Sequence, residues 1–313
     1  MRRASQTTPL LDLLKYSTIA SLAGCPNAAK VLATSSNPNF PSLTVASGPP
    51  LSSGRKGVSQ KTPFEGQDEG FEGLKYRATV FDVDGVLLTF KSSWEFVHKS
   101  LGTSGSLDDM KKYFRGEISY EEWCRRDWER WKSAKKDLTR EDVLRIMERV
   151  VDYVHPNAAN SVNLVKRRGM AVGLLSAGLE ASTAKVAELL GVHLWLANPC
   201  YECKPVVEPK NKALGLKKLL EKLDIGLKEV IYVGDSLIDV PAMLASGCSI
   251  GVRDPQIKKF STVWIEDLSL FEEALLQCVN HPSSVKPQPD EEQHKYRYGE
   301  GEHFDWVGLL DLD

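Results

Sequence analysis

The chain has 313 residues, and its 40 Lys and Arg residues against 42 Asp and Glu residues give a formal net charge of −2. This balance gives no support to nucleic-acid binding driven by net positive charge, and no apolar run approaches the ~20 residues that a membrane span requires. Hydrophobic residues make up 42% of the chain, as in soluble globular proteins, and six cysteines at this length do not indicate a disulfide scaffold. We therefore expect a soluble protein with reduced thiols.

The first 74 residues differ in composition from the rest of the chain. Up to Phe64 the only acidic residue is Asp12, while Ser and Thr are frequent and seven prolines interrupt the segment. Such a segment buries too little apolar surface to offset its ordering entropy, which predicts a disordered extension or a wrongly assigned upstream start. Its basic, Ser-rich and acid-poor character also fits an organelle transit peptide. We expect a cytoplasmic protein, or an organellar one if residues 1–74 are a transit peptide.

From Tyr76 onward, apolar runs typical of strands alternate with segments of helical periodicity. The predicted strands are 78–81, 171–175, 192–197, 230–233, 249–252 and 263–265. The predicted helices lie in a charged, Trp-rich insertion after the first strand (92–154) and at 156–168, 180–190, 210–223, 240–245 and 268–279. Strand–helix alternation predicts a parallel sheet covered on both faces, whose ligands bind beyond the carboxyl ends of the strands.

Chemically active side chains follow three of these strands, so they should converge at one edge of the sheet. The candidates are Asp82 and Asp84 after the first strand, Ser176 after the second, Asp235 and Asp239 after the fourth, and Lys212 at the start of the preceding helix. Several carboxylates at one point repel each other unless a cation lies between them, and Mg²⁺ with oxygen ligands suits such a site. A Ser hydroxyl, a Lys and the free N–H groups around Gly85 and Gly178 suit a phosphate group.

Each of these signals is weak when it is taken alone. Aspartates are common in loops, Ser176 could cap the helix at 180–190, and Lys212 could lie on a solvated helix face. Their order along the chain and their common edge of the sheet favour a functional site.

The ordered set resembles the motifs of the haloacid dehalogenase superfamily. Residues 82–86 resemble its first motif, 175–178 its second, Lys212 its third and 234–239 its fourth, so the resemblance covers about residues 76–279. The helical insertion resembles the small cap of the phosphoserine phosphatase group. The fold implied is α/β, with a three-layer Rossmann-like parallel-sheet core at 75–90 and 157–280, a small α-helical cap at 91–156 inserted after the first strand, and a flexible tail at 281–313.

The resemblance also implies a role for each motif residue. Asp82 would attack phosphorus and form an aspartyl-phosphate, and Asp84 would act as general acid and then as general base. Mg²⁺ would lie between Asp82, the backbone carbonyl of Asp84, and Asp235. The phosphate would be held by Ser176, Ala177, Gly178 and Lys212, with Asp239 and Gly85 in supporting positions. An aspartate at position 84 favours phosphoryl transfer over dehalogenation, because halide leaves without a proton.

Three departures from the phosphoserine phosphatase pattern bear on the substrate. Lys91 stands where that group has a Glu for the substrate amino group, and Ile238 stands in place of an Asn. The cap Arg of the group falls, by count, at Asp127, with Arg126 beside it. We predict Lys91 and Arg126 to be specificity residues. Phosphoserine stays open as a substrate but is not favoured, since Lys91 suits an anionic or neutral leaving group better.

The sequence thus predicts a Mg²⁺-dependent phosphomonoester hydrolase whose partner is a small-molecule phosphate ester, with no nucleic-acid or membrane partner and no prediction for the oligomeric state. The alternatives are a phosphomutase or phosphotransferase, and a non-catalytic binding protein that docks through the tail around Trp306. Cys200 and Cys203 form a CxxC that we interpret as ordinary buried cysteines, with a zinc site or a redox pair as alternatives. The remaining four, Cys25, Cys124, Cys248 and Cys278, show no pairing pattern.

Overall fold

The computed structural model of the chain describes residues 75–280. The predictions for the N-terminal extension (1–74) and the C-terminal tail (281–313) fall outside these residues. None of the helices in this part of the chain combines the length and apolar character that a bilayer crossing needs.

A six-stranded parallel sheet forms the centre of the structure, in the order β3-β2-β1-β4-β5-β6. The strands are β1 (Ala78–Phe81), β2 (Ala171–Leu179), β3 (Leu194–Asn198), β4 (Val230–Gly234), β5 (Cys248–Val252) and β6 (Val263–Ile265). β1 lies between β2 and β4, with Phe81 in register with Leu174 and Val233. Every residue of β1, β4 and β5 is buried, as expected of strands covered on both faces.

Helices pack on both faces of the sheet and make the three layers that the sequence predicts. The helices are α1 (Ser93–Ser100), α2 (Leu107–Arg115), α3 (Tyr120–Ala134), α4 (Arg140–Met147), α5 (Ala158–Arg167), α6 (Glu180–Leu190), α7 (Lys212–Glu221), α8 (Val240–Ala245) and α9 (Phe271–Asn280). Phe81 points into a cluster with residues of α5, α6 and α9. Its neighbour Val80 points to the opposite face, into a cluster with α7 and α8. This alternation along the strand confirms the predicted α/β class.

The insertion after β1 folds as four short helices, α1 to α4, because its sequence supplies a helix start at regular intervals. The hydroxyl oxygens of Ser92, Ser106, Ser119 and Thr139 each accept a hydrogen bond from the backbone N–H three residues later. Part of this cap has an aromatic cluster of its own, built on Tyr113, Phe114 and Tyr120. The cap is thus a small packed unit placed over the carboxyl edge of the sheet.

The expectation of reduced thiols is wrong for four of the five cysteines in the described residues. Cys124 is disulfide-bonded to Cys203, and Cys248 to Cys278, while Cys200 is a buried free thiol. The two cysteines of the CxxC are therefore not bonded to each other. The pairing escapes sequence analysis because Cys124 and Cys203 are 79 residues apart and meet only when α3 packs against the loop after β3.

Removing the cap-to-core disulfide should destabilise the fold. Replacing both Cys124 and Cys203 by Ser should lower the free energy of unfolding by about 4 kcal/mol, because the bond closes a loop of 79 residues in the unfolded chain. The matched variant, Cys248→Ser with Cys278→Ser, opens a 30-residue loop and should lose about 1 kcal/mol less. Denaturant titration of both variants and of the reduced wild type measures the losses. An unchanged midpoint after reduction would mean that the thiols are free in solution.

Candidate active site

The turn after β1 places the first pair of aspartates. Asp82 continues the sheet through a 2.8 Å hydrogen bond from its N–H to the Val233 carbonyl, and the chain then turns at Gly85, whose φ is +82°. A Cβ on Gly85 would lie 2.0 Å from Asp235 Oδ2. Only glycine accepts both the left-handed backbone and this close approach, so the turn can bring the first and fourth motifs into contact.

Lys212 joins the first motif to the fourth. Its Nζ lies 2.6 Å from Asp82 Oδ1 and 2.6 Å from Asp239 Oδ1, and only 2% of the residue is exposed. A buried ammonium of this kind requires compensating carboxylates, which it has on both sides. The structure therefore places Lys212 inside the site rather than on a solvated helix face.

Asp239 organises the fourth motif. One of its oxygens accepts hydrogen bonds from Lys212 and from the Tyr232 hydroxyl at 2.7 Å. The other accepts from the backbone N–H groups of Asp235 and Ser236 and from the Ser236 hydroxyl, each at 3.0 Å. Both oxygens are thus occupied, so Asp239 positions Lys212 and the loop that carries Asp235.

The carboxylates of Asp82, Asp235 and Asp239 form a candidate cation site, since each offers an oxygen within 4.8 Å of the other two. Because Asp239 is saturated by donors, the available oxygens are those of Asp235 and the second oxygen of Asp82, which receive no hydrogen bond from the described residues. Buried carboxylate oxygens that receive no hydrogen bond suit a hard divalent cation such as Mg²⁺.

The pKa shifts of the site residues also support a cation site. Burial and the nearby Asp239 raise the pKa of Asp82 well above its ordinary value, against the opposing effect of Lys212. The same two causes raise the pKa of Asp235 to about 8. Burial alone would lower the pKa of Lys212, but Asp239 and Asp82 outweigh it and raise that pKa. The pocket therefore holds more carboxylate than Lys212 neutralises, and a bound cation would lower the pKa of both aspartates.

Asp84 has one oxygen held and one free. The backbone N–H of Ser93 donates to Asp84 Oδ2 at 2.7 Å, whereas the buried Oδ1 has no hydrogen-bond partner. Burial raises the pKa of Asp84, with Ser93 opposing the shift. A buried carboxyl group whose pKa is raised, and whose second oxygen has no hydrogen-bond partner, can deliver or accept a proton.

The second motif approaches Asp84 closely. The pairing of β2 with β3 is irregular between Leu175 and Leu179, and in this stretch Ser176 Oγ accepts the N–H of Gly178 at 2.9 Å. A Cβ on Gly178 would lie 2.4 Å from Asp84 Oδ2, so a larger residue would displace that carboxylate. Ser176 does not cap α6, which begins without a side-chain cap.

These groups line a cavity of about 290 Å³ between the cap and the sheet edge. Of the predicted site residues, Asp82, Asp84, Lys91, Ser176, Ala177, Gly178, Lys212 and Asp235 line it. Gly85 and Asp239 lie behind this lining. Arg126 is not in the lining: its guanidinium is bonded to Asp109 at 2.6 Å and to Glu122 at 2.8 Å. Its neighbour Asp127 lines the cavity instead.

Four residues that contribute to the site escaped the sequence analysis. Ser93 and Tyr232 hold Asp84 and Asp239, Tyr120 lines the cavity, and the Asn198 side chain bonds the Ala177 carbonyl at 3.0 Å and both backbone groups of Val207. The only local sequence signal for any of the four was Tyr232, whose polar hydroxyl interrupts the apolar run of β4.

A parallel α/β core with a helical cap over a carboxylate-rich sheet edge defines a capped hydrolase fold. The chain belongs to the haloacid dehalogenase-like hydrolases, whose family model matches residues 76–247, as the four motifs predicted.

Curated and solved relatives agree with this placement. The chain is 24% identical over 212 residues to the phosphoserine phosphatase of Methanocaldococcus jannaschii, a match that covers 63% of this chain and 96% of that protein. Its fold is similar to a substrate-bound phosphoserine phosphatase complex, with a TM-score of 0.51, 22% identity and coverage of 64% and 98% of the two chains. A phospho-aspartyl intermediate analogue of phosphoserine phosphatase gives a TM-score of 0.50 and 23% identity over 64% and 98%. At these identities the solved structures show the shared fold.

Proposed function

We propose that this protein is a Mg²⁺-dependent phosphomonoester hydrolase that acts on a small phosphorylated metabolite through an aspartyl-phosphate. The observation that carries the proposal is the arrangement at the base of the cavity. There one oxygen of Asp82 is bonded to Lys212, and the other receives no hydrogen bond from the described residues. The carboxylate of Asp235 lies beside it.

Asp82 would act as the nucleophile. One oxygen of its carboxylate would attack phosphorus, the P–O bond to the alcohol would break, and water would later cleave the acyl phosphate, so one slow displacement becomes two faster ones. The hydroxyl of Ser176 and the ammonium of Lys212 would bind the phosphoryl oxygens, where negative charge lies in the transition state.

The carboxylates of Asp82 and Asp235, with the Asp84 backbone carbonyl, would hold Mg²⁺. When bound, this ion supplies positive charge that screens the carboxylates from the incoming phosphate. Asp84 would protonate the leaving alkoxide and then deprotonate the hydrolytic water, for which its unpartnered Oδ1 is available.

The direct test is hydrolysis of a chromogenic phosphate ester with and without Mg²⁺. Because phosphate and carboxylates repel each other without the ion, we expect chelation to abolish turnover and Mg²⁺ to restore it, while Ca²⁺, which prefers a larger coordination shell, should not. Turnover unaffected by chelation would contradict the cation site. Adding glycerol as a competing acceptor shows where the phosphoryl group goes, since inorganic phosphate marks a hydrolase and glycerol phosphate a phosphotransferase.

Replacing Asp84 by Asn should slow the enzyme in a way that depends on the leaving group. An amide cannot donate the proton, so kcat/KM, which reports the steps up to release of the alcohol, should fall about 10²- to 10⁴-fold for an alkyl phosphate. It should fall much less for 4-nitrophenyl phosphate, whose leaving group departs without protonation. The ratio of the two rates in variant and wild type is the measurement, and equal losses on both esters would contradict the acid role of Asp84.

A further inference from the structure

The cap contributes one wall of the cavity, and a single helix face supplies much of it. Tyr120, Trp123, Cys124 and Asp127 of α3 all line the cavity. Their spacing of three, four and seven residues places them on the same side of a helix. Trp94 from α1 and Met110 from α2 complete this wall, which is therefore largely aromatic and apolar.

Two polar groups on this wall have unfilled hydrogen-bonding capacity. The Tyr120 hydroxyl is buried and makes no hydrogen bond of acceptable geometry to the described residues, although the Asn198 side chain is near enough to oppose the rise in its pKa that burial causes. Asp127 is 4% exposed, and its Oδ1 accepts from Arg130 at 2.8 Å and lies 3.2 Å from His98 Nε2. No described residue donates to its Oδ2. Because Tyr120 and Asp127 both line the cavity, a hydroxyl and a carboxylate oxygen with free hydrogen-bonding capacity there suit hydroxyl groups of a ligand.

The distribution of charge disfavours a charged leaving group. Apart from Lys91, no described cap residue brings a cation to the lining, since Arg126 and Arg130 are bonded to Asp109, Glu122 and Asp127. A substrate carboxylate near Asp127 would therefore have no cation of α3 beside it in the lining. A substrate ammonium would meet an Asp127 already paired with Arg130, and Lys91, which also lines the cavity, would repel it.

We propose that the natural substrate is the phosphate ester of an uncharged, hydroxyl-bearing alcohol, a polyol or a sugar. Its carbon skeleton packs against Trp94 and Trp123, and its hydroxyl groups bond to Tyr120 and Asp127. This inference rests on the proposed hydrolase activity and adds the substrate class to it. Tyr120 and Asp127 are then the specificity residues of the cap, in the place predicted for Arg126.

Three phosphate esters of similar size test the proposal on the full-length protein with Mg²⁺. They are glycerol 3-phosphate, which has an uncharged alcohol, O-phosphoserine, which has a zwitterionic one, and phosphoethanolamine, which has a cationic one. We expect kcat/KM for glycerol 3-phosphate to exceed both others by at least ~10-fold, as buried unpaired charge is costly. Cleavage of phosphoserine or phosphoethanolamine at an equal or higher kcat/KM would overturn the substrate class and leave the hydrolase standing. Cleavage of no ester would overturn both.

Tyr120→Phe tests the wall itself, because it removes a hydroxyl that makes no hydrogen bond of acceptable geometry to the described residues. We expect KM for glycerol 3-phosphate to rise about 2- to 10-fold, the contribution of one neutral hydrogen bond, and the preference over phenyl phosphate to fall by the same factor. Tyr153→Phe is the matched control, because Tyr153 packs against Phe90 and Phe96 outside the cavity lining and should leave the preference unchanged. An unaltered preference in Tyr120→Phe would overturn the proposal.

Discussion

An Asp82→Asn variant should lose at least ~10³-fold in kcat on a chromogenic phosphate ester, equivalent to about 4 kcal/mol of transition-state stabilisation. The reason is chemical, because an amide is a poor nucleophile and cannot form the acyl phosphate. The same change removes one anionic ligand of the candidate cation site. Steady-state kinetics at saturating Mg²⁺ measure the loss.

The fold should tolerate this change. Asparagine has the shape of aspartate and keeps an oxygen that can accept the hydrogen bond from Lys212. Removing the charge of Asp82 also relieves its repulsion with Asp239 and Asp235, which adds to burial in raising the pKa of Asp82. We therefore expect an unfolding midpoint at or above that of the wild type. A loss of activity that accompanies unfolding would not support the nucleophile assignment.

The control for Asp82→Asn is Asp108→Asn, the same substitution on the exposed surface of α2, where Asp108 pairs with Lys112. It should retain full activity. Acid quenching during turnover offers a second readout, since labelled phosphate should stay on the wild-type protein and not on Asp82→Asn. Equal rates in the two aspartate variants would remove Asp82 from the chemistry.

A Lys212→Met variant should lose both activity and stability. Lys212 is the buried cation between Asp82 and Asp239, and methionine keeps its length without its charge. Removing one partner from a buried ion pair typically costs about 3–5 kcal/mol. The loss of a preorganised donor to the phosphoryl oxygens should lower kcat by about 10²- to 10³-fold.

The stability of this variant should depend on pH with a definite sign. Without the ammonium, which opposes the rise, the pKa of Asp82 in the folded protein rises further above its unfolded value. Protonation then stabilises the folded state at low pH, and this contribution is lost as the pH rises through the raised pKa. The deficit of Lys212→Met relative to wild type should therefore shrink between pH 8 and about pH 5. Denaturant titrations across this range measure it.

Lys218→Met is the matched control for Lys212→Met, because Lys218 lies on the same helix, α7, with its side chain exposed. It should change stability by less than about 0.5 kcal/mol and leave kcat unaltered. A pH-independent deficit in Lys212→Met would indicate lost packing rather than two uncompensated carboxylates.

The fold class and the four motifs were accessible from the sequence because their signals are local. Each core strand is an apolar run that ends in a polar residue, as in Ala78–Phe81 before Asp82 and Val230–Gly234 before Asp235. Parallel pairing then brings these strand ends to one edge of the sheet, so their proximity follows from the strand assignments alone. The predicted strand at 263–265 and the helix at 240–245 match the structure in both bounds.

The sequence by itself thus determined a capped α/β hydrolase with Asp82, Asp84, Lys212 and Asp235 at one sheet edge. Tertiary structure alone decided three further features: the Cys124–Cys203 disulfide, the orientation of Arg126 away from the cavity, and the placement of Tyr120 and Asp127 in its wall. All three depend on the rotation of α3 about its axis and on its packing against the core, because these bring residues together that are distant in the sequence. Helical periodicity shows which residues share a face of a helix. Which part of the protein packs against that face depends on residues far away along the chain.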